Sequence, residues 1–250
     1  MNEVEWDIFL DIHKDMPRQG SGRNEYTKKA YDMIPPLSHP NILDIGCGPG
    51  MQTIELAKLS GGHVIGMDIF QQYLDQLEES IRKEQLQDQV EVMNQSMLDM
   101  KFASESFNII WAEGSIFVIG FEKGLQSWRQ FITSKGYLAV HDMAWINPDP
   151  PEEIKEYWET NYPDIKTIQE HLEIIKKCNY TLLGYFPLPE DAWWEFYYEP
   201  LQNRLVDLRI KYKENPKALT LIEEEQQEID LFKKYKHWFG SVFYIMQKED

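Results

Sequence analysis

An acid followed by three glycines at alternate positions stands out in the stretch Ile42-Leu43-Asp44-Ile45-Gly46-Cys47-Gly48-Pro49-Gly50. Glycine tolerates positive φ and lets the backbone approach a ligand closely. A helix starting directly after such a turn offers unpaired N–H groups to that ligand. The spacing is G-x-G-x-G, whereas a dinucleotide elbow has G-x-G-x-x-G. Asp44 would repel a pyrophosphate and suits a cationic amine or sulfonium. With Asp44 beside Gly46, Gly48 and Gly50, the sequence therefore favours a ligand with positive charge at this point. The plain alternatives are a ligand-free turn and an Asp44 that caps the following helix.

Further candidates follow along the chain. Asp68 ends Val64-Ile65-Gly66-Met67-Asp68, roughly 20 residues past the glycines, where an acid accepts hydrogen bonds from ribose hydroxyls. In Asn94-Gln95-Ser96-Met97 a short polar side chain and a free N–H suit an adenine edge. Glu113, in Trp111-Ala112-Glu113-Gly114, is placed to touch a ligand, to order a pocket or to act as a base. His141, followed by Asp142, titrates near neutrality and is a candidate base, with an ordinary hydrogen-bonded histidine as the alternative. Arg18, in Pro17-Arg18-Gln19-Gly20-Ser21-Gly22, is a glycine-flanked cation able to clamp a carboxylate. Trp145, Trp193, Trp194, Tyr197 and Tyr198 either line a pocket or fill a core. His13 reads as solvated, and Glu223–Glu225 with Glu228 and Asp230 as a solvated helix face. Cys47 and Cys178 read as packing residues. Neither has metal-ligand spacing, so no metal is expected.

The elements that must position these residues alternate. Short apolar runs at 41–45, 63–68, 90–93, 107–112 and 137–142 read as buried parallel strands. Helical faces at 51–59, 71–85 and 124–133 separate them, and another helix spans 24–34 up to Pro35-Pro36. This is the pattern of right-handed βαβ units in a doubly wound α/β sheet. Beyond Trp145, helices are expected at 152–162 and 165–179, a strand at 181–187, helices through 190–237 and a last strand at 241–247. Antiparallel pairing of the last two strands makes the helical block an insertion between neighbours. The expected organisation is a helical arm (1–34), an α/β domain of seven strands (35–189 and 238–250) and a helical lid (190–237).

On these residues the chain resembles the class I S-adenosylmethionine-dependent methyltransferases. Asp44-Ile45-Gly46-Cys47-Gly48-Pro49-Gly50 is similar to that family's motif I, Asp68 to its ribose-binding acid, and Ser96-Met97 with Asp99 to its adenine-edge segment, though many members carry Asp at the position of Ser96. The likeness continues through Glu113-Gly114-Ser115-Ile116, Gly120–Leu125 and Gly136–Val140. Arg18-Gln19-Gly20 and Phe243-Tyr244-Ile245-Met246 resemble a bacterial and archaeal subgroup. The resemblance implies S-adenosyl-L-methionine as cofactor and S-adenosyl-L-homocysteine as product. The implied cofactor set is Asp44, Gly46, Cys47, Gly48, Gly50, Asp68, Ile69, Ser96, Met97, Glu113 and Arg18. It leaves the acceptor open.

Composition narrows the acceptor. The 250 residues carry a formal net charge of −17. A duplex binder needs a basic footprint, so nucleic acid and anionic membrane surfaces are disfavoured. No run of about 18 apolar residues suggests a membrane span, and no basic-then-apolar leader opens the chain. The expectation is a cytoplasmic enzyme, monomeric or homodimeric, that methylates a small molecule. Its rivals are a nucleotide-cofactor oxidoreductase, an RNA methyltransferase and a non-catalytic cofactor-binding module.

Overall fold

The computed structural model describes residues 3–250. It begins with helices α1 (Glu3–Ile12) and α2 (Asn24–Tyr31). Strand β1 (Asn41–Ile45), helix α3 (Met51–Ser60), strand β2 (His63–Asp68), helix α4 (Gln71–Glu84) and strand β3 (Val90–Asn94) follow. Next come β4 (Phe107–Glu113), α5 (Phe121–Trp128), β5 (Ile132–Trp145), α6 (Glu152–Asn161), the short β6 (Lys166–Thr167), α7 (Ile168–Lys177) and β7 (Tyr180–Pro187). A short α8 (Asp191–Trp193) runs through a π-turn at 194–198 into α9 (Glu199–Lys211). Helix α10 (Pro216–Tyr235) and β8 (Phe239–Lys248) complete the described chain. No helix among the described residues is long and apolar enough to cross a membrane.

The sheet order is β3-β2-β1-β4-β5-β8-β7, with β6 pairing to β5 beside this path. Strands β1 to β5 are parallel, and β8 runs antiparallel between β5 and β7. The expected hairpin-like pairing of the last two strands is present, and β8 additionally occupies the space beside β5. The chain reverses its winding direction at β1 and β4, so a crevice opens at their carboxyl ends. Both sheet faces are covered. Ile42, Val64 and Trp111 face Leu56, Leu74, Leu77 and Ile81 on one side. Leu43, Ile110, Leu138 and Tyr244 face Leu125, Trp128 and Ile175 on the other. Two-sided burial explains why these strands read as continuous apolar runs rather than alternating ones.

A third apolar cluster is mostly helical and reaches the sheet through Phe239 of β8. It joins Ile8 and Ile12 of α1, Ile154 and Trp158 of α6, Trp193, Tyr197 and Tyr198, Leu201, Leu205 and Leu208 of α9, and Ile222, Ile229 and Phe232 of α10. This helical layer takes in α6, which lies outside the 190–237 stretch.

Several boundaries differ from the sequence expectation. Helix α5 starts at Phe121 and ends at Trp128, three residues earlier than expected at its start, because Gly120 at φ 88 turns the chain ahead of it. Strand β5 begins at Ile132, where a helix was expected to continue; Ile132 pairs with Phe107, and β-branched Ile132 and Thr133 favour extended backbone. Helix α2 stops at Tyr31, three residues short of Ile34.

Candidate active site

The turn between β1 and α3 is built as its glycines require. Gly46, Gly48 and Gly50 all have positive φ (70, 53 and 85). A Cβ on Gly46 would sit 2.4 Å from Cβ of Ser115, and one on Gly50 would sit 2.3 Å from Cδ1 of Leu77. At Gly48 the nearest atom would be Cγ of Gln19 at 3.7 Å. Gly46 and Gly50 thus serve close packing, whereas Gly48 keeps an open backbone surface. Ser115 locks the neighbouring loop by donating to the Ile45 carbonyl at 2.5 Å.

A cavity of about 280 Å³ opens beside this elbow. Its wall includes Arg18, Gly46, Cys47, Gly48, Asp68, Ile69, Ser96, Met97 and Glu113. Nine of the eleven residues in the expected cofactor set thus meet in one place. Asp44 and Gly50 do not reach it. Asp44 is fully buried, its Oδ2 accepts the Thr53 hydroxyl at 2.6 Å, and its Oδ1 has no partner. Burial, with the Glu113 charge adding to it, pushes the Asp44 carboxyl up to about 7. The structure gives Asp44 a supporting place behind the elbow, and Gly50 a packing place against α4.

Asp68 ends β2 with its carboxylate fixed on backbone. Oδ2 accepts from Gly48 N–H at 2.9 Å and Oδ1 from Phe70 N–H at 3.0 Å. Burial raises its carboxyl above the ordinary range, while the backbone donors pull it back down. Each oxygen keeps a lone pair for a hydroxyl donor. Around the cavity mouth stand Ile69, Leu98, Phe117 and Val118, all more than half exposed. Four of the large exposed apolar side chains among the described residues therefore rim one opening, as expected of a site that takes a flat apolar ring.

The floor is an ion pair that sequence spacing could not reveal. Arg18 Nη2 donates to Glu113 Oε2 at 2.6 Å, with both side chains buried. Glu113 Oε1 accepts the Thr27 hydroxyl at 2.7 Å and Trp111 Nε1–H at 2.9 Å. Three donors thus hold Glu113, which sets it to order the pocket and argues against its role as a base. Among the described residues, Arg18 Nε and Nη1 are buried without a hydrogen-bond partner. The Arg18 loop is clasped from several sides. Gln19 bonds Tyr73, Ser21 bonds Ser241, and Gly22 N–H donates to the Ala192 carbonyl.

A second chamber of about 390 Å³ adjoins the first. Both walls include Phe9, Gln19, Gly20, Ser21, Gly114 and Phe117. His141 lines this second space. It is 1% exposed, neither ring nitrogen has a hydrogen-bond partner among the described residues, and burial pushes it down to about 4. A neutral imidazole with free nitrogens can accept a proton. Asp142 is tied up by the Tyr162 hydroxyl at 2.7 Å and the Met143 N–H.

Several expectations from sequence change here. Trp193 and Tyr197 line the chamber, while Tyr198 is core and Trp145 and Trp194 pack against the helical cluster. His13, expected to be solvated, is 2% exposed and hydrogen-bonded to the Phe9 carbonyl. The acidic run divides. Glu223 and Asp230 are exposed, but Glu225 and Glu228 turn into the chamber. A signal for this was present: Glu225 falls three residues after Ile222 and four before Ile229, within the apolar stripe of α10. Tyr157, Trp158 and Tyr162 were missed as chamber residues because only tertiary packing brings α6 to the sheet edge.

Elbow, strand-end acid and sheet order together define a class I methyltransferase fold. Residues 42–136 match the family model described as a methyltransferase domain. The fold is shared with a SAM-dependent methyltransferase from Geobacter sulfurreducens in complex with S-adenosyl-L-homocysteine. That likeness has a TM-score of 0.84 at 14% identity and covers 97% of this chain and 98% of that one. A second such protein, from Thiobacillus denitrificans and also in complex with S-adenosyl-L-homocysteine, gives 0.82 at 14% identity, covering 100% and 99%. By sequence, methyltransferase GfsG of Streptomyces halstedii is 26% identical over 119 residues, 47% of this chain and 43% of that protein. The chain spans about half the length, or less, of the relatives it matches in sequence.

Proposed function

We propose that the elbow cavity binds S-adenosylmethionine and that the protein transfers the methyl group to a small molecule held in the adjoining chamber. The observation that carries this reading is Arg18, a buried guanidinium on the cavity wall with Nε and Nη1 unpaired. An amino-acid carboxylate is the natural partner for such a group. The open backbone at Gly48, the anchored Asp68 and the apolar rim suit, in turn, the approach of an adenosyl group, its ribose hydroxyls and its adenine. The S-adenosyl-L-homocysteine-bound neighbours support the same reading.

When bound, the cofactor supplies an electrophilic methyl on sulfur, which leaves with the S–C bond's electron pair retained by sulfur. The chain's own residues have three tasks. Gly46, Gly48, Asp68, Ser96, Met97 and Arg18 hold and orient the donor. The arm around Gln19–Gly22 and helices α9 and α10 act as a lid that excludes water. His141, uncharged with both nitrogens free, takes the acceptor's proton where the acceptor is an alcohol or amine.

Calorimetry with S-adenosyl-L-homocysteine tests the first task. Wild type is expected to bind at micromolar or tighter affinity, and Asp68→Ala and Arg18→Met each to weaken binding by about tenfold or more, as losing a charge-assisted hydrogen bond does. Absence of wild-type binding, or unchanged affinity in both variants, refutes the reading.

A further inference from the structure

The chamber wall is acidic without compensation. Asp142 of β5 and Glu224, Glu225 and Glu228 of α10 line it, and among the described residues no lysine or arginine does. The cation that acts on Asp142 from outside, Lys166, lies near Asp164 at 3.8 Å. Glu225 is 3.6 Å from Nε2 of His13, but burial pushes that imidazole down to about 4, so it brings no charge near neutrality. Among the described residues, Glu228 accepts the Tyr198 hydroxyl at 2.9 Å and no charged donor. Burial and mutual repulsion raise Glu225, and burial raises Glu228, as expected of carboxylates lacking a counter-ion.

Much of the remaining wall is aromatic. Phe9, Tyr157, Trp158, Tyr162, Trp193 and Tyr197 surround the space. Burial raises the hydroxyls of Tyr157 and Tyr197, and the nearby Glu228 and Glu225 charges add to it. His141 is an independent pointer to a polar ligand, a side chain 1% exposed, on the wall, with neither nitrogen within hydrogen-bonding geometry of a partner among the described residues. Aromatic faces attract cations through their quadrupole, most strongly where water is excluded. Carboxylates add Coulomb attraction that a partly buried site screens weakly. Anionic and purely apolar occupants would leave these acids unmatched.

We infer that the chamber binds an amine-bearing compound in its cationic form, an alkylammonium or quaternary ammonium group seated between the aromatic wall and the Glu225–Glu228 pair of α10. This rests on the reading of the elbow cavity as the methyl-donor site, which makes the chamber the acceptor site. The ammonium group is the anchor of the substrate class.

The test uses the full chain saturated with S-adenosyl-L-homocysteine. Choline and benzyltrimethylammonium are titrated against 3,3-dimethylbutan-1-ol, the uncharged carbon isostere of choline, and against benzoate. At least one cation is expected to bind about tenfold or more tighter than the isostere, and benzoate not to bind. Glu225→Gln and Glu228→Gln are each expected to shrink that preference to about threefold or less, with S-adenosyl-L-homocysteine affinity measured in parallel on each. Equal binding of choline and its isostere, preference for benzoate, no cation binding up to about 10 mM, or a preference that survives both substitutions overturns the inference. The wild-type comparison of choline with its isostere decides even where a variant folds poorly. Normal S-adenosyl-L-homocysteine binding without cation preference defeats the inference alone. Failure to bind S-adenosyl-L-homocysteine defeats the donor-site reading first.

Discussion

A carboxylate that accepts three donors has little left to offer a proton, and Glu113 is in that position between Arg18, Thr27 and Trp111. His141 is its opposite, a buried ring with both nitrogens unengaged. The two residues are register partners on β4 and β5, and a Cβ on the adjoining Gly114 would lie 3.1 Å from His141 Cε1. Their variants should therefore fail in different ways. Glu113→Gln removes the charge opposite a buried guanidinium and should cost about 3–5 kcal/mol of stability, read by urea denaturation. His141→Ala should leave S-adenosyl-L-homocysteine affinity within about twofold while lowering kcat by about tenfold to a hundredfold for a proton-bearing acceptor. A His141→Ala enzyme with unchanged kcat would remove the base from the mechanism.

The elements separate into a sheet that is packed on both faces and a helical layer that is not part of either face. Lids and arms that close over ligands come from the less stable end of a structure. The α1–α2 arm and α9–α10 should exchange their amide hydrogens faster than β1 and β4 in the free protein. Saturating S-adenosyl-L-homocysteine should slow exchange in residues 17–22 most, because their loop carries Arg18. Faster exchange in β1 than in α9 would contradict this layering. The same division decides what the sequence made legible. Elements of the parallel half, with their two-sided apolar runs and glycine elbow, read directly from local pattern. So did Gly46, Gly48, Asp68, Ser96 and Met97 of the elbow cavity, each at or just beyond a strand end. The chamber did not read that way. Its wall is drawn from α1, α6, α10 and β5, which only tertiary packing assembles. The inward turn of Glu225 was hidden by four neighbouring acids that look like one solvated face. The Arg18–Glu113 pair joins residues far apart in sequence, and no spacing announces it.

At the scale of the whole molecule, buried titratable groups set the response to pH. Asp44 is raised to about 7 and Asp142 to about 6, with Asp68, Glu225 and Glu228 also raised. An unfolded chain gives up these protons near the ordinary carboxylate values, about 4. The folded state thus binds more protons across this window, and stability falls as pH rises through it. His13, His141 and His171 act in reverse. Each is pushed down to about 4, so the unfolded chain binds more protons below about 6.5 and stability rises with pH there. The two trends oppose each other between about pH 4 and 6. Above about 6.5 the histidines are neutral in both states and only the acids contribute. Tm by calorimetry should accordingly change little from pH 5 to 6 and decline from about 6.5 to 8. A Tm that climbs over the upper interval would mean that these carboxylates are ionised in the native state at little cost. Cationic ligands should flatten the decline by stabilising the ionised acids.

Strand β8 fills the place between β5 and β7, yet it comes after the long helical excursion that follows β7. While a ribosome is extending the chain, β5 is finished at Trp145 and its open flank must wait until residues 239–248 emerge. Throughout that interval a row of unpaired peptide groups is available to any passing strand. Nascent chains halted within α9 or α10 thus carry an open β5 flank that strand β8 covers in the finished fold.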